Sequence, residues 1–104
     1  MKAQMHNFSA WVSLCDPEQL DNLCTELLQR CGFNVLSKCE KHFSPHGYTA
    51  LYLLSESHFA IHTFPEHNST YIELSSCVLP PFVKFTAQWQ SLLPNERPTE
   101  VTKE

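Results

Sequence analysis

Residues 56–66 read Glu-Ser-His-Phe-Ala-Ile-His-Thr-Phe-Pro-Glu, a short stretch that holds most of the reactive side-chain types in the chain. His58, Ala60 and His62 alternate with Phe59 and Ile61, which reads as a strand over 58–63 with both imidazoles on one face. Ser57 falls on the opposite face by strict alternation, unless a bend or bulge intervenes. A serine hydroxyl with an imidazole to manage its proton is a nucleophilic pair. The plainer alternative is a surface strand that happens to carry histidines. A third chemistry is metal binding through His42, His46, His58 and His62. A tetrahedral site needs two ligands beyond those one strand face supplies, and the sequence does not place them, so no metal is expected.

These residues need a frame. Asp16 is a good helix N-cap and Pro17 suits the first helical position, where its missing N–H costs nothing. Leu20, Leu23, Cys24, Leu27, Leu28 and Cys31 form one apolar stripe, and Gly32 ends a helix over 17–31. A helix that is apolar on one side must lie on something flat. Segments 7–14, 33–39, 48–54, 58–63 and 70–75 read as strands, with a turn at Ser44-Pro45-His46-Gly47 and a loop at 65–69. After Pro80-Pro81, residues 82–93 keep Phe82, Phe85, Trp89, Leu92 and Leu93 at helical spacing. The tail 94–104 is polar and loose, with room for a short edge strand at 98–102. The order β-α-β-β-β-α, which counts one strand fewer than the five segments, predicts an α+β fold, a two-layer α/β sandwich whose antiparallel sheet carries two helices on one face, as a single domain over 1–104. The other face is solvated or covered by a second copy. With 12% aromatic residues in so short a chain, a homodimer is expected.

Lys and Arg number 7 against 11 Asp and Glu, a formal net charge of −4, which speaks against a nucleic-acid binder and against a polybasic membrane-surface protein. No apolar run approaches the roughly 18 residues of a membrane span, and the start MKAQMHNFSAW has no apolar signal core. The expected location is therefore the cytoplasm. The five cysteines, at 15, 24, 31, 39 and 77, show neither a CxxC nor a zinc spacing, and Cys24 and Cys31 read as buried thiols on the helix stripe.

Segment 56–66 resembles the signature of the bacterial-type S-adenosylmethionine decarboxylases, small pyruvoyl enzymes whose motif runs E-S-H-x-x-I-H-T-W-P-E; Phe64 replaces the usual Trp. His42-Phe43-Ser44-Pro45-His46-Gly47-Tyr48-Thr49 is similar to that family's H-x-F-x-P-x-G-V-[ST] turn, with the first His displaced by one place or replaced by Lys41. Cys15-Asp16-Pro17-Glu18-Gln19-Leu20-Asp21 is similar to its C-D-P-E-x-L-D helix start. Cys77 follows Ser57 by 20 residues, the family's distance to its catalytic cysteine. The pieces run in register over 7–77.

The resemblance implies a self-cleaving proenzyme of the polyamine pathway. Ser57 would attack the carbonyl of Glu56, Thr49 would steady the adduct, and His62 would take the Ser57 α-proton. The chain would part into 1–56 and 57–104, the second piece beginning with a pyruvoyl group made from Ser57. That ketone would capture the substrate amine and draw in the electrons of decarboxylation. Cys77 would return a proton to the product carbon, Glu66 would hold the ribose hydroxyls, and Phe43 would stack on adenine. His58 would shape the processing site or simply sit exposed on its strand. Departures touch the nucleoside side: Asn7 stands where an imidazole is expected, with His6 one place off, Val78 replaces a Gly, and Pro80-Pro81 replaces an acidic turn. The expected substrate is S-adenosylmethionine; the alternatives are ornithine or arginine on the same scaffold, or a non-catalytic regulatory homologue. That last reading predicts loss of Ser57, His62 or Cys77, and all three are present.

Overall fold

The apolar stripe of residues 17–31 becomes helix α1 (Pro17–Arg30), started by the Asp16 carboxylate, which accepts from the Gln19 N–H at 2.9 Å. At its far end Gly32, with φ +106°, takes the left-handed conformation, Gly32 N–H donates to Gln29 and Phe33 N–H to Leu28. The structure, a computed structural model, describes residues 2–93. Five strands, β1 (His6–Val12), β2 (Val35–His42), β3 (Tyr48–Leu54), β4 (Ser57–Phe64) and β5 (Ser69–Ser76), form one antiparallel sheet in the order β1-β5-β4-β3-β2. A short 3-10 turn (Pro65–His67) links β4 to β5, and α2 (Leu79–Leu92) closes the described chain.

Two expected element starts move by more than one residue, and β1 ends two residues earlier and β2 three later than expected. The second strand starts at Val35 and not at Phe33, because Phe33 completes the helix cap and is buried in the core. The second helix starts at Leu79 and not at 82, because Pro80 and Pro81 sit in its first turn, where a missing N–H breaks no bond. The edge strand expected at 98–102 and the loose tail at 94–104 lie outside the described residues.

Alternation sorts the sheet into two faces. One parity, Ala10, Val12, Ala50, Tyr52, Leu54, Phe59, Ile61, Ile72 and Leu74, packs with Leu20, Cys24, Leu27 and Leu28 of α1 and with Phe85 and Trp89 of α2 in one core. Both helices therefore lie on the same face. Asp21 of α1 accepts from the Tyr52 hydroxyl at 2.6 Å and pairs with Lys38 at 3.0 Å, which seats the helix on β2 and β3. Burial opposes the Asp21 charge, yet the Tyr52 and Lys38 hydrogen bonds hold its carboxyl below the usual range. Burial and the Glu40 carboxylate push the Tyr48 phenol up to about 12. The opposite face is open, and Leu51 and Leu53 remain 49% and 55% exposed on it.

Candidate active site

Strands β3 and β4 are joined by only two residues, Ser55 and Glu56, with Leu54 paired to Ser57. Glu56 has φ +61°, a left-handed conformation that costs a side-chain-bearing residue about 1–2 kcal/mol. The bond that follows it is Glu56–Ser57. Register on the other side pairs Ser57 with Ser76, the last residue of β5, and Cys77 comes next. The Cys77 thiol donates to the Glu56 carbonyl oxygen at 3.3 Å and approaches its carboxylate at 3.7 Å. Ser57 is 7% exposed, and its hydroxyl meets that of Ser76 at 2.7 Å. A hydroxyl, the carbonyl before it and a thiol on that carbonyl are thus gathered at one end of the sheet.

Thr49, His62, Phe43 and Glu66 occupy the other end. Thr49 and His62 are direct partners across β3 and β4, with Thr49 Oγ1 3.2 Å from His62 Nδ1. His62 also stacks on Tyr71, ring centroids 6.3 Å apart, and Trp11 lies 5.1 Å beyond Tyr71. Gly47, with φ +112°, closes the turn after β2 by accepting from the Phe43 N–H at 2.8 Å, and so fixes Phe43. Asn68, left-handed at φ 51°, ends the 3-10 turn that presents Glu66, which pairs with His46 Nε2 at 3.1 Å. Between these elements and the start of α1 lies an open hollow of about 430 Å³, lined by Asp16, His42, Phe43, His46, Tyr48 and Thr63 among others.

The structure keeps the alternation of β4 intact, without a bulge, so Ser57 faces the helices and His62 faces the open side. Five strand residues at about 3.3 Å each set the two roughly 17 Å apart along β4. The expected grouping of His62 and Thr49 with Ser57 is therefore not assembled within one chain; the residues form two separate groups. Asn7 lies at the Ser57 end on the open face, its side-chain oxygen accepting from Ser75 at 2.6 Å. His6 points the other way, against Phe82 at 5.6 Å, and cannot stand in for it. His42, His46, His58 and His62 are not drawn together: His42 lies against Tyr48 and His46 on Glu66. Sequence reasoning missed Ser76 and Tyr71, and the pairing of His46 with Glu66. For Ser76 the signal was there, since strands joined by a short turn place the first residue of one opposite the last of the next.

The S-adenosylmethionine decarboxylase family model matches residues 6–90. The S-adenosylmethionine decarboxylase proenzyme of Brevibacillus brevis is 45% identical over 64 residues, covering 62% of this chain and 48% of that protein. S-adenosylmethionine decarboxylase proenzyme 2 of Bacillus anthracis is 52% identical over 46 residues, 44% of this chain and 37% of that one. The chain thus spans half or less of the length of these curated relatives. The crystal structure of the adenosylmethionine decarboxylase from Aquifex aeolicus VF5 superposes with a TM-score of 0.71 at 21% identity, covering 89% of this chain and 82% of that one, which shows the shared fold. With its family match running from the first residue of β1 into α2, this chain belongs to the S-adenosylmethionine decarboxylase family.

Proposed function

We propose that the chain is a self-cleaving, pyruvoyl-dependent decarboxylase of S-adenosylmethionine, cytoplasmic, working as a homodimer whose sites are each built from two copies. The observation that carries this reading is the Cys77 thiol on the Glu56 carbonyl, directly before Ser57. When Ser57 Oγ adds to that carbonyl carbon, negative charge collects on the oxygen that the thiol already addresses. The strained Glu56 conformation is relieved as the link breaks. Glu56 passes to the Ser57 oxygen as an ester. A base removes the Ser57 α-proton, the ester leaves as the Glu56 carboxylate, and water replaces the nitrogen of residue 57 as ammonia. The cut yields 1–56 and 57–104. The pyruvoyl group so formed supplies a ketone that engages the substrate amine and takes up the electrons released with carbon dioxide. Cys77 is then placed to hand a proton to the product carbon.

His62 is the base in this reading, and it comes from the second copy. A dyad lying between two open faces and crossing the strands reverses strand direction. The Glu56 hairpin of one copy then lies over the Thr49–His62 pair of the other, with stacked sheets about 10 Å apart. Leu51, Leu53, Trp11, Tyr71 and Phe64 on the open face supply an apolar surface to cover. The same operation carries Phe43 and Glu66 of one copy toward Asn7 of the other, so the nucleoside is gripped by both. Asn7 offers no ring to stack and is tied to Ser75, the feature that keeps ornithine or arginine as the second reading.

Complementation tests the arrangement. Ser57→Ala and His62→Ala chains should each stay uncut when made alone. Made together, mixed dimers hold one intact site, and only the His62→Ala chain should be cut, as intact mass shows. No cutting in the mixture would mean that each chain serves itself. Carbon dioxide release from S-adenosylmethionine, ornithine and arginine then assigns the substrate; release from an amino acid alone would replace the nucleoside reading. Glu56→Gly, compared in a Ser57→Ala background, should raise stability by about 1 kcal/mol by removing the left-handed strain, read as a higher midpoint in urea.

A further inference from the structure

We infer that Ser76 is a positioning residue for self-cleavage, fixing the Ser57 hydroxyl for attack; this rests on the reading above. Ser76 is fully buried and lies directly opposite Ser57 across the β4–β5 ladder. Its Oγ accepts from the Val78 N–H at 2.9 Å, donates to the Val78 carbonyl at 3.3 Å, and lies 2.7 Å from Ser57 Oγ. A hydroxyl has one hydrogen and two lone pairs. With its hydrogen given to Val78, Ser76 can only accept from Ser57, so Ser57 is the donor and its own lone pairs stay free. One of its staggered rotamers is thereby selected and the others are excluded. The adjoining residue supplies the complement. Ser76 and Cys77 are consecutive, so one holds the nucleophile while the other donates to the carbonyl it must reach.

The step itself balances without Ser76. The Glu56 carbon–Ser57 nitrogen bond breaks, the Glu56 carbon–Ser57 Oγ bond forms, and the hydroxyl proton ends on the freed amine. Ser76 gains no atom and loses none. Its part is to spare the hydroxyl a search among rotamers, an effect on the rate of attack and not on later steps.

Threonine and valine are nearly the same shape and both suit a strand, so Ser76→Thr and Ser76→Val differ only in the hydroxyl. Full-length protein of each, with wild type and Ser76→Ala, is followed by denaturing mass spectrometry from synthesis onward, alongside thermal unfolding. Wild type and Ser76→Thr should cut at similar rates. Ser76→Val and Ser76→Ala should cut roughly ten-fold more slowly, with Ser76→Val unfolding at the temperature of Ser76→Thr. Hydroxylamine, which traps the ester, should not speed the slow variants, because attack is the step they lack. Cutting of Ser76→Val as fast as Ser76→Thr would overturn the inference, and so would an ester that hydroxylamine releases from the slow variants. A wild-type chain that never cuts would instead overturn the proteolytic reading on which the inference stands.

Discussion

Ser57→Ala should leave a single uncut chain, whereas wild type should resolve into 1–56 and 57–104. The effect is all or none because alanine has no atom to make the new bond to the Glu56 carbon. The thiol of Cys77 donates to the Glu56 carbonyl oxygen at 3.3 Å, a place from which it can stabilise charge on that oxygen. The variant should fold, since Ser57→Ala keeps the Leu54 and Ser76 backbone pairs and gives up one side-chain hydrogen bond. Denaturing intact mass of freshly made protein reads the result. A cut Ser57→Ala chain would move the scissile bond elsewhere.

Cys77→Ala separates two roles of one side chain. Loss of the hydrogen bond to the Glu56 oxygen should slow self-cleavage by about ten-fold at most, because a single hydrogen bond of this kind contributes on the order of 1 kcal/mol. Given time, the variant becomes fully cut. Once cut, it should still decarboxylate about 10²–10⁴-fold more slowly than wild type, the usual loss when a general acid is removed. Assaying only fully matured protein keeps the two effects apart. Wild-type turnover by matured Cys77→Ala would assign the proton to another group.

Much of this was legible from residue types alone. Asp16, Pro17 and Gly32 marked both ends of α1, and β-branched and aromatic alternation marked β3 to β5. The misplaced ends have local causes: Phe33 was drawn into the cap of α1, and two prolines were absorbed by an unbonded first turn. The chemistry was legible in kind but not in arrangement. Motif similarity gathers Thr49, Ser57, His62 and Cys77 into one site, while strand geometry spreads them over both ends of β4. The parity of Ser57 and His62 signalled this separation in the sequence itself. The left-handed turn at Glu56 depends on torsion angles, which no residue pattern states.

The strand order has a consequence for when the chain can be cut. Residues 57–104 hold β4, β5 and α2, and residues 1–56 hold β1, α1, β2 and β3. Because β1 pairs with β5 and β3 pairs with β4, the later piece is wedged between strands of the earlier one, along ladders His6–Val12 with Thr70–Ser76 and Tyr48–Leu54 with Ser57–Thr63. Severing the hairpin as proposed would therefore free a new chain terminus while both flanking ladders stay closed, turning one peptide into two that do not part. The wedge also works in reverse: among the described strands, β1 has its one neighbour, β5, in the other piece. In that proposal folding comes before the cut, and a cut protein once unfolded would have to reassemble from two peptides a sheet that one peptide built the first time.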